Sequence, residues 1–389
     1  MLAATVRVTR DLDAAEEAVQ DAYVSALEAW ARDGAPARPG AWLTTAARRN
    51  ALNAMARRQT LDRKLPLLIE PDAADEMPEP TEDTIPDDRL RLVFTCCHPA
   101  LSREAQVALT LRLVCGVDTA DIAHAFLVAA PTMAARLTRA KKKIAAAGIP
   151  YAVPRAGDLP ARLDPVLTVV HLLSTTGHTA PSGDALVSVE LADRGLDLAR
   201  MLHALLPAER EAAGLLALLL VHHARRATRT DSAGRLTRLE DQDRAAWDHA
   251  AIAEADRLVV AALRAGPPGR FTLQAAIAAL HAQAPSYADT DWSQILTLYD
   301  ELLRIWPSPA AALNRAVAVA MVDGPAAALD EVEALERDGR LAGYRYLPAT
   351  KADLLRRLGR HEQAADAYRA ALALTDNAAE RAFLGEQLG

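Results

Sequence analysis

The stretch PTMAARLTRAKKKI (131–144) holds five basic residues and no acid, in a chain of 389 residues with a formal charge of −7. Met133, Leu137, Ala140 and Ile144 recur at i, i+4, i+7 and i+11, the spacing of a helix face turned to a core. Thr132, Arg136, Arg139 and Lys143 follow the same spacing on a second, polar stripe. Pro131 suits the first turn of a helix, where its missing N–H costs nothing. Upstream, DTADIAHAF (118–126) reads as a short helix that Asp118 can cap, with Ile122, Ala123 and Phe126 on its buried side. Short helix, tight turn and basic helix make the helix-turn-helix layout, whose second helix enters the major groove of DNA. A solvated basic face on a structural helix is the competing reading of the charges alone. The preceding helix and turn favour DNA.

The rest of the chain points to an all-α protein. Alanine and leucine dominate, aromatics are only 4%, and β-branched runs are scarce. No stretch of ~20 uncharged apolar residues suggests a membrane span, and Arg7, Arg10 and Asp11 interrupt any signal-peptide core. Three cysteines form no disulfide framework, which suits a reducing cytoplasm. Charge is uneven: residues 48–64 hold six bases against one acid, and residues 62–88 hold ten acids against two bases. A mildly acidic total therefore hides basic patches.

Four regions are expected. Residues 1–59 read as helices with a break at RDGAPARPGA (32–41). Residues 60–88, with five prolines and the acid run, read as a flexible linker. Residues 89–150 are helical again, and residues 160–389 form an alanine- and leucine-rich array. In that array Ala316, Ala328, Val332 and Leu335 around Gly324 are repeated, 36 residues on, by Ala352, Ala364, Tyr368 and Ala371 around Gly359. Ile295, Tyr299 and Leu302, ended by Pro307, read as the second helix of an earlier unit. Small residues at helix crossings with a period near 34 describe tetratricopeptide-like (TPR-like) hairpins, against an ordinary helical bundle.

Residues 104–144 resemble the C-terminal DNA-binding domain of extracytoplasmic-function (ECF) RNA polymerase sigma factors, and GVDTADIAHAFLVAAPTMAARLTRAKKKI (116–144) carries the resemblance without a gap. One departure is Leu127, where the family often has glycine in the turn; leucine resists positive φ. The resemblance implies that 89–150 is sigma region 4 and reads the −35 promoter element. Thr132, Met133, Arg136 and Arg139 then face bases or adjacent phosphates, and Lys141, Lys142 and Lys143 lie nearer phosphates.

DLDAAEEAVQDAYVSALEAW (11–30) is similar to the polymerase-binding helix of the family's first domain, sigma region 2. By periodicity Ala15, Val19, Ala22, Tyr23, Ala26 and Trp30 form its core stripe, and Asp13, Glu16, Glu17, Gln20 and Asp21 an outer acidic patch. Such a patch repels DNA and suits a basic protein partner. The resemblance implies core RNA polymerase, through its β′ clamp helices, with the β flap as a further contact. PGAWLTTAARRNALNAMARRQ (39–59) is similar to the −10 element helix. Trp42, Thr45, Arg49, Asn53 and Arg57 fall roughly on one face, with Arg48, Asn50 and Arg58 beside them. Arginines grip phosphates and asparagine pairs with base edges. The family often has Asp near position 53, so Asn53 leaves the −10 preference open. It also has one further stretch of helix before a position like Leu2, so the start is expected to be truncated or the first helix short.

FTCCHPAL (94–101), RLTRLEDQDRAAWD (235–248) and ADTDWSQILTLYDELLRI (288–305) resemble a sigma subgroup with a long C-terminal extension. STTGHTAPSGD (174–184) departs from the acidic, aromatic-flanked loop expected there. Adjacent Cys96 and Cys97, with His98 and Cys115, fit metal-ligand spacing poorly and read as buried thiols at a helix start. His222 and His223 read as helix-end residues. No nucleophile, general base or phosphate loop accompanies the acids Glu240, Asp241, Asp243 and Asp248, so neither catalysis nor a cofactor or metal is expected. The expected function is that of an alternative sigma factor. Promoter DNA and polymerase core are its partners, and its C-terminal array makes a regulatory contact with a protein partner or within the chain. The alternative is a helix-turn-helix regulator with a TPR-like protein-binding array, acting without polymerase.

Overall fold

The computed structural model describes residues 1–64, 85–126, 128–155, 157–178, 182–183, 189–231 and 234–388. Most of the acidic linker expected at 60–88, Leu127 of the turn and part of the 174–184 loop lie outside the described residues. The chain is all-α, as its composition implies, and divides into two compact units, Met1–Val169 and Val170–Gly389.

The first unit contains α1 (Leu2–Thr9), α2 (Leu12–Asp33), α3 (Pro39–Lys64), α4 (Ile85–Cys96), α5 (Arg103–Leu109), which runs on as a π-helical turn at Thr110–Val114, α6 (Thr119–Ala125) and α7 (Ala130–Ala146). Helix α8 (Leu159–His178) spans the division. Asp11 starts α2 by accepting hydrogen bonds from the Asp13 and Ala14 amides, at 2.9 and 3.1 Å. The buried stripe of α2 is Leu12, Ala15, Ala18, Ala22 and Ala26. Alanines let the backbone of α3 come close, and Leu43, Ala46 and Ala47 fill the seam. A tyrosine does not fit such a narrow seam. Tyr23, expected in the core, is 52% exposed, while Trp30 and Trp42 pack edge-on at its end, 5.6 Å apart. The Tyr151 hydroxyl donates to the carbonyls of Ala3 (2.7 Å) or Asp88 (2.9 Å), tying the segment after α7 to α1 and α4.

Cys96, Cys97 and Cys115 are buried and form no disulfide. They sit at the end of α4 and after the π-helical turn rather than at a helix start, because α4 runs on to Cys96. Burial pushes the Cys97 thiol up to about 12, despite a 3.5 Å contact with the Thr110 hydroxyl.

The second unit holds α9 (Val189–Leu205), α10 (Arg210–Ala224), α11 (His249–Arg264), α12 (Arg270–Gln283), α13 (Trp292–Ile305), α14 (Pro309–Val322), α15 (Pro325–Asp338), α16 (Tyr346–Arg357), α17 (His361–Ala373) and α18 (Ala378–Glu386). Two short strands, β1 (Ser182–Gly183) and β2 (Asp376–Asn377), pair in parallel. Helix α10 is apolar around most of its circumference, and every residue from Ala212 to Val221 is buried, as befits a central helix. Further on, Ala316, Ala328 and Val332 share one core with Ala352, Ala364, Tyr368 and Ala371, so the repeated small residues do mark helix crossings. Gly359 (φ 73°) turns the chain between α16 and α17, and the Arg360 amide reaches back to the Leu355 carbonyl at 2.9 Å. A left-handed residue there favours glycine. Among the described residues, no helix is long and apolar enough to cross a membrane.

Candidate nucleic-acid interface

Helix α7 separates its two stripes as the periodicity requires. Met133, Leu137, Ala140 and Ile144 are buried. Thr132, Arg139, Lys142 and Lys143 are exposed, and Arg136 is half-buried with its guanidinium 5.9 Å from the Phe126 ring centroid. Met133 is 0% exposed and belongs to the core, so it leaves the set of groups that can reach a base edge. Before α7, the Asp118 carboxylate accepts the Ala120 amide at 2.9 Å, and Ile122 and Ala123 are buried.

Helix α3 presents Thr45, Arg49, Asn53 and Arg57 to solvent at steps of four, one continuous polar face. Arg57 Nε donates to the Asn53 carbonyl at 3.2 Å, which leans the guanidinium along that face. Trp42, Arg48 and Asn50 are half-buried beside it, and Arg48 Nε is shielded without a hydrogen-bond partner. The Arg58 side chain lies outside the described residues.

The acidic patch of α2 has a partner in the same unit. Lys141 donates to Asp13 Oδ1 at 2.8 Å and also to Glu16, and Arg112 lies 3.3 Å from the Glu16 carboxylate. Burial pulls the Lys141 ammonium down, but its hydrogen bonds to Asp13 and Glu16 outweigh that and leave it raised. These groups line a cavity of about 300 Å³ with Glu17, Gln20 and Thr138. Lys141, expected near a phosphate, is thus held between two carboxylates. Asp13, Glu17, Gln20 and Asp21 remain exposed and Glu16 is half-buried.

Two features escaped the sequence reading. Arg112, on the π-helical turn, reaches the Glu16 carboxylate from a position the helical stripes did not single out. Val24 and Leu27 are 56% and 75% exposed, and with Tyr23 they put an apolar strip beside Gln20 and Asp21. The signal was present: Gln20, Val24 and Leu27 follow i, i+4, i+7 on the face opposite the alanine seam.

Comparison with known proteins fits this geometry. Residues 2–60 match Sigma-70 region 2, residues 91–144 match Sigma-70 region 4, and residues 162–263 match a family of unknown function, DUF6596. The chain is 44% identical over 392 residues to an uncharacterised protein of Rhizobium meliloti (strain 1021), covering 100% of this chain and 92% of that protein. No solved structure matches.

Proposed function

The chain belongs to the ECF-like sigma factors that carry a C-terminal extension, and from that premise we propose that it docks on core RNA polymerase through the outer face of α2, reads the −10 element with α3 and reads the −35 element with α7. Families of this kind act in transcription initiation and bind DNA; they are not enzymes. The observation that carries the reading is the pair of exposed polar faces: Thr45, Arg49, Asn53 and Arg57 on α3, and Thr132, Arg139, Lys142 and Lys143 on α7. Each combines phosphate-binding cations with at least one side chain able to hydrogen-bond a base. Arg136 extends the second face. The acids and exposed apolar groups of α2 suit a basic protein helix rather than DNA. In this reading the acidic segment between α3, which runs on to Lys64, and α4, which starts at Ile85, joins the two DNA-reading modules. The C-terminal unit is a regulatory or protein-interaction module, and the protein acts in the cytoplasm. Run-off transcription with purified core enzyme and a pool of genomic promoters tests it. Core-dependent transcripts are expected; specific DNA binding with no association to core enzyme rejects it.

The Lys141–Asp13–Glu16 cluster adds a consequence. A lysine committed to two carboxylates cannot also neutralise a phosphate, and those carboxylates cannot meet polymerase while they hold it. The free chain is therefore latched, and core enzyme must break the latch before it gains Asp13 and Glu16. Lys141 is 14% and Glu16 17% exposed, but Asp13 is 66% exposed, so the contribution is modest. Lys141→Ala is expected to tighten core-enzyme binding by about 2–10-fold, measured by fluorescence anisotropy of labelled protein. Unchanged or weaker binding removes the latch.

A further inference from the structure

The second unit contains a cavity of about 460 Å³, within the size range of small-molecule sites. Most of its wall is apolar, from Leu218, Ile277, Leu302 and Ala311, with an aromatic side from Tyr299 and Trp306. One end is different. Arg225, at the C-terminal cap of α10, lies near His222 of the same helix and His281 of α12, and His171 of α8 lies near His222. No aspartate or glutamate is among the described residues lining this cavity. The adjoining pocket shares Leu239, His281, Tyr299 and Asn314, and its Glu240 and Asp353 line it but not this cavity.

The hydrogen bonding at this end is incomplete. Arg225 Nε and His281 Nδ1 are shielded from solvent and have no hydrogen-bond partner. Among the described residues Arg225 takes part in no ion pair. Arg244 does not supply a counter-charge: it is a second cation, spent on the carbonyls of His281 (2.5 Å) and Ala284 (2.9 Å) and on the Trp247 ring. The end of α10 lends Arg225 only the partial charge of its last carbonyls. A guanidinium withdrawn from water without a full counter-charge is costly to keep, and unmet buried polar groups in native proteins call for an explanation.

We propose that this cavity is a binding site for a small amphipathic organic anion, a carboxylate or phosphate ester with an aromatic or aliphatic body, whose charged head pairs with Arg225. Arginine offers two parallel N–H donors to either head group. Burial, then the neighbouring Arg225 and Arg244, push His281 down to about 4; burial, then Arg270, do the same to His171. Both rings are therefore neutral near pH 7 and can serve as hydrogen-bonding groups. Burial, then Arg229 and Arg244, lower Arg225 to about 10, which still leaves it charged. Tyr299 and Trp306 take the ligand's body. The proposal stands independently of promoter recognition, because binding needs neither DNA nor polymerase.

Titration calorimetry on the full chain tests it, with benzoate and phenyl phosphate as anionic probes and benzamide as the neutral counterpart. Saturable binding of at least one anion is expected, at least about tenfold tighter than benzamide. The tighter of the two anions assigns the head group. Arg225→Gln should bring the anions down to the benzamide level, and Arg225→Lys should restore part of the difference. Ala278 lines the same cavity, so Ala278→Phe, which leaves Arg225 in place, should block all three probes. It serves as the second arm if Arg225→Gln does not fold by circular dichroism. Three outcomes overturn the site: no saturable anion binding below about 10 mM, neither anion binding tighter than benzamide, or undiminished anion binding in folded Arg225→Gln or Ala278→Phe protein.

Discussion

Replacing Gly214 with alanine is expected to cost the C-terminal unit about 3 kcal/mol or more, against the usual direction of that substitution. In an ordinary helix interior alanine is better than glycine by about 1 kcal/mol. Here the added methyl would lie 2.6 Å from the Thr272 amide nitrogen, 2.7 Å from its hydroxyl and 2.8 Å from its Cα. Those atoms cannot easily withdraw. The Glu211 carboxylate accepts the Phe271 amide at 2.8 Å, the Thr272 amide at 3.2 Å and the Thr272 hydroxyl at 2.6 Å, pinning the start of α12 against α10. A carboxylate at a helix N-terminus is a favourable, charge-assisted arrangement, so breaking it adds to the loss. Moving α12 instead would also strip cover from Phe271 and Leu273, both nearly fully buried. Propensity and packing predict opposite signs, which makes the measurement decisive. Thermal unfolding should show the transition of this unit falling by roughly 5–10 °C. A rise would mean that α10 and α12 are not in close contact at Gly214.

What the sequence disclosed, and what it withheld, divides along a physical line. The two stripes of α7 were legible because a helix repeats every 3.6 residues and its core face needs apolar groups. The repeat of Ala316 and Ala328 at Ala352 and Ala364 was legible because only small residues fit where helices cross, and these alanines are buried in one core. Tyr23 was misplaced by the same logic: an aromatic at core spacing reads as core, and only the narrowness of an all-alanine seam expels it. Met133 fell on both of the faces considered for α7, and burial assigns it to one. Features made by distant residues left no local trace. Lys141 meets Glu16 across 125 positions of sequence. His222 stacks on His178, ring centroids 5.0 Å apart, although the pair His222 and His223 looked like a simple helix end. Arg225, one residue further on, had no periodic signature at all. Its character comes from its own helix together with two others, α8 and α12, that bring His171 and His281 to the same cavity.

The second large effect concerns the outer face of α2. Glu17, Asp21, Val24 and Glu28 follow i, i+4, i+7 and i+11, and all four are exposed. A stripe of that spacing is what one helix offers to another along its length. Asp13 and Glu16 are poor choices for testing it, because they also hold Lys141. Glu17 and Asp21 are exposed on the solvent side, so Glu17→Lys combined with Asp21→Lys should leave the fold nearly unchanged. Against a basic partner helix, the double reversal replaces two attractions with two like-charge contacts, which cost several kcal/mol together. Core-enzyme binding should therefore fall by about 100-fold or more, and run-off transcripts should vanish at protein concentrations that suffice for the unaltered chain. Lys141→Ala moves the same measurement in the opposite direction, so the pair separates a docking face from a general effect of surface charge. If the reversed protein melts normally and still joins core enzyme with unaltered affinity, polymerase does not dock on this face of α2. The exposed Val24 and Leu27 would then belong to some other contact.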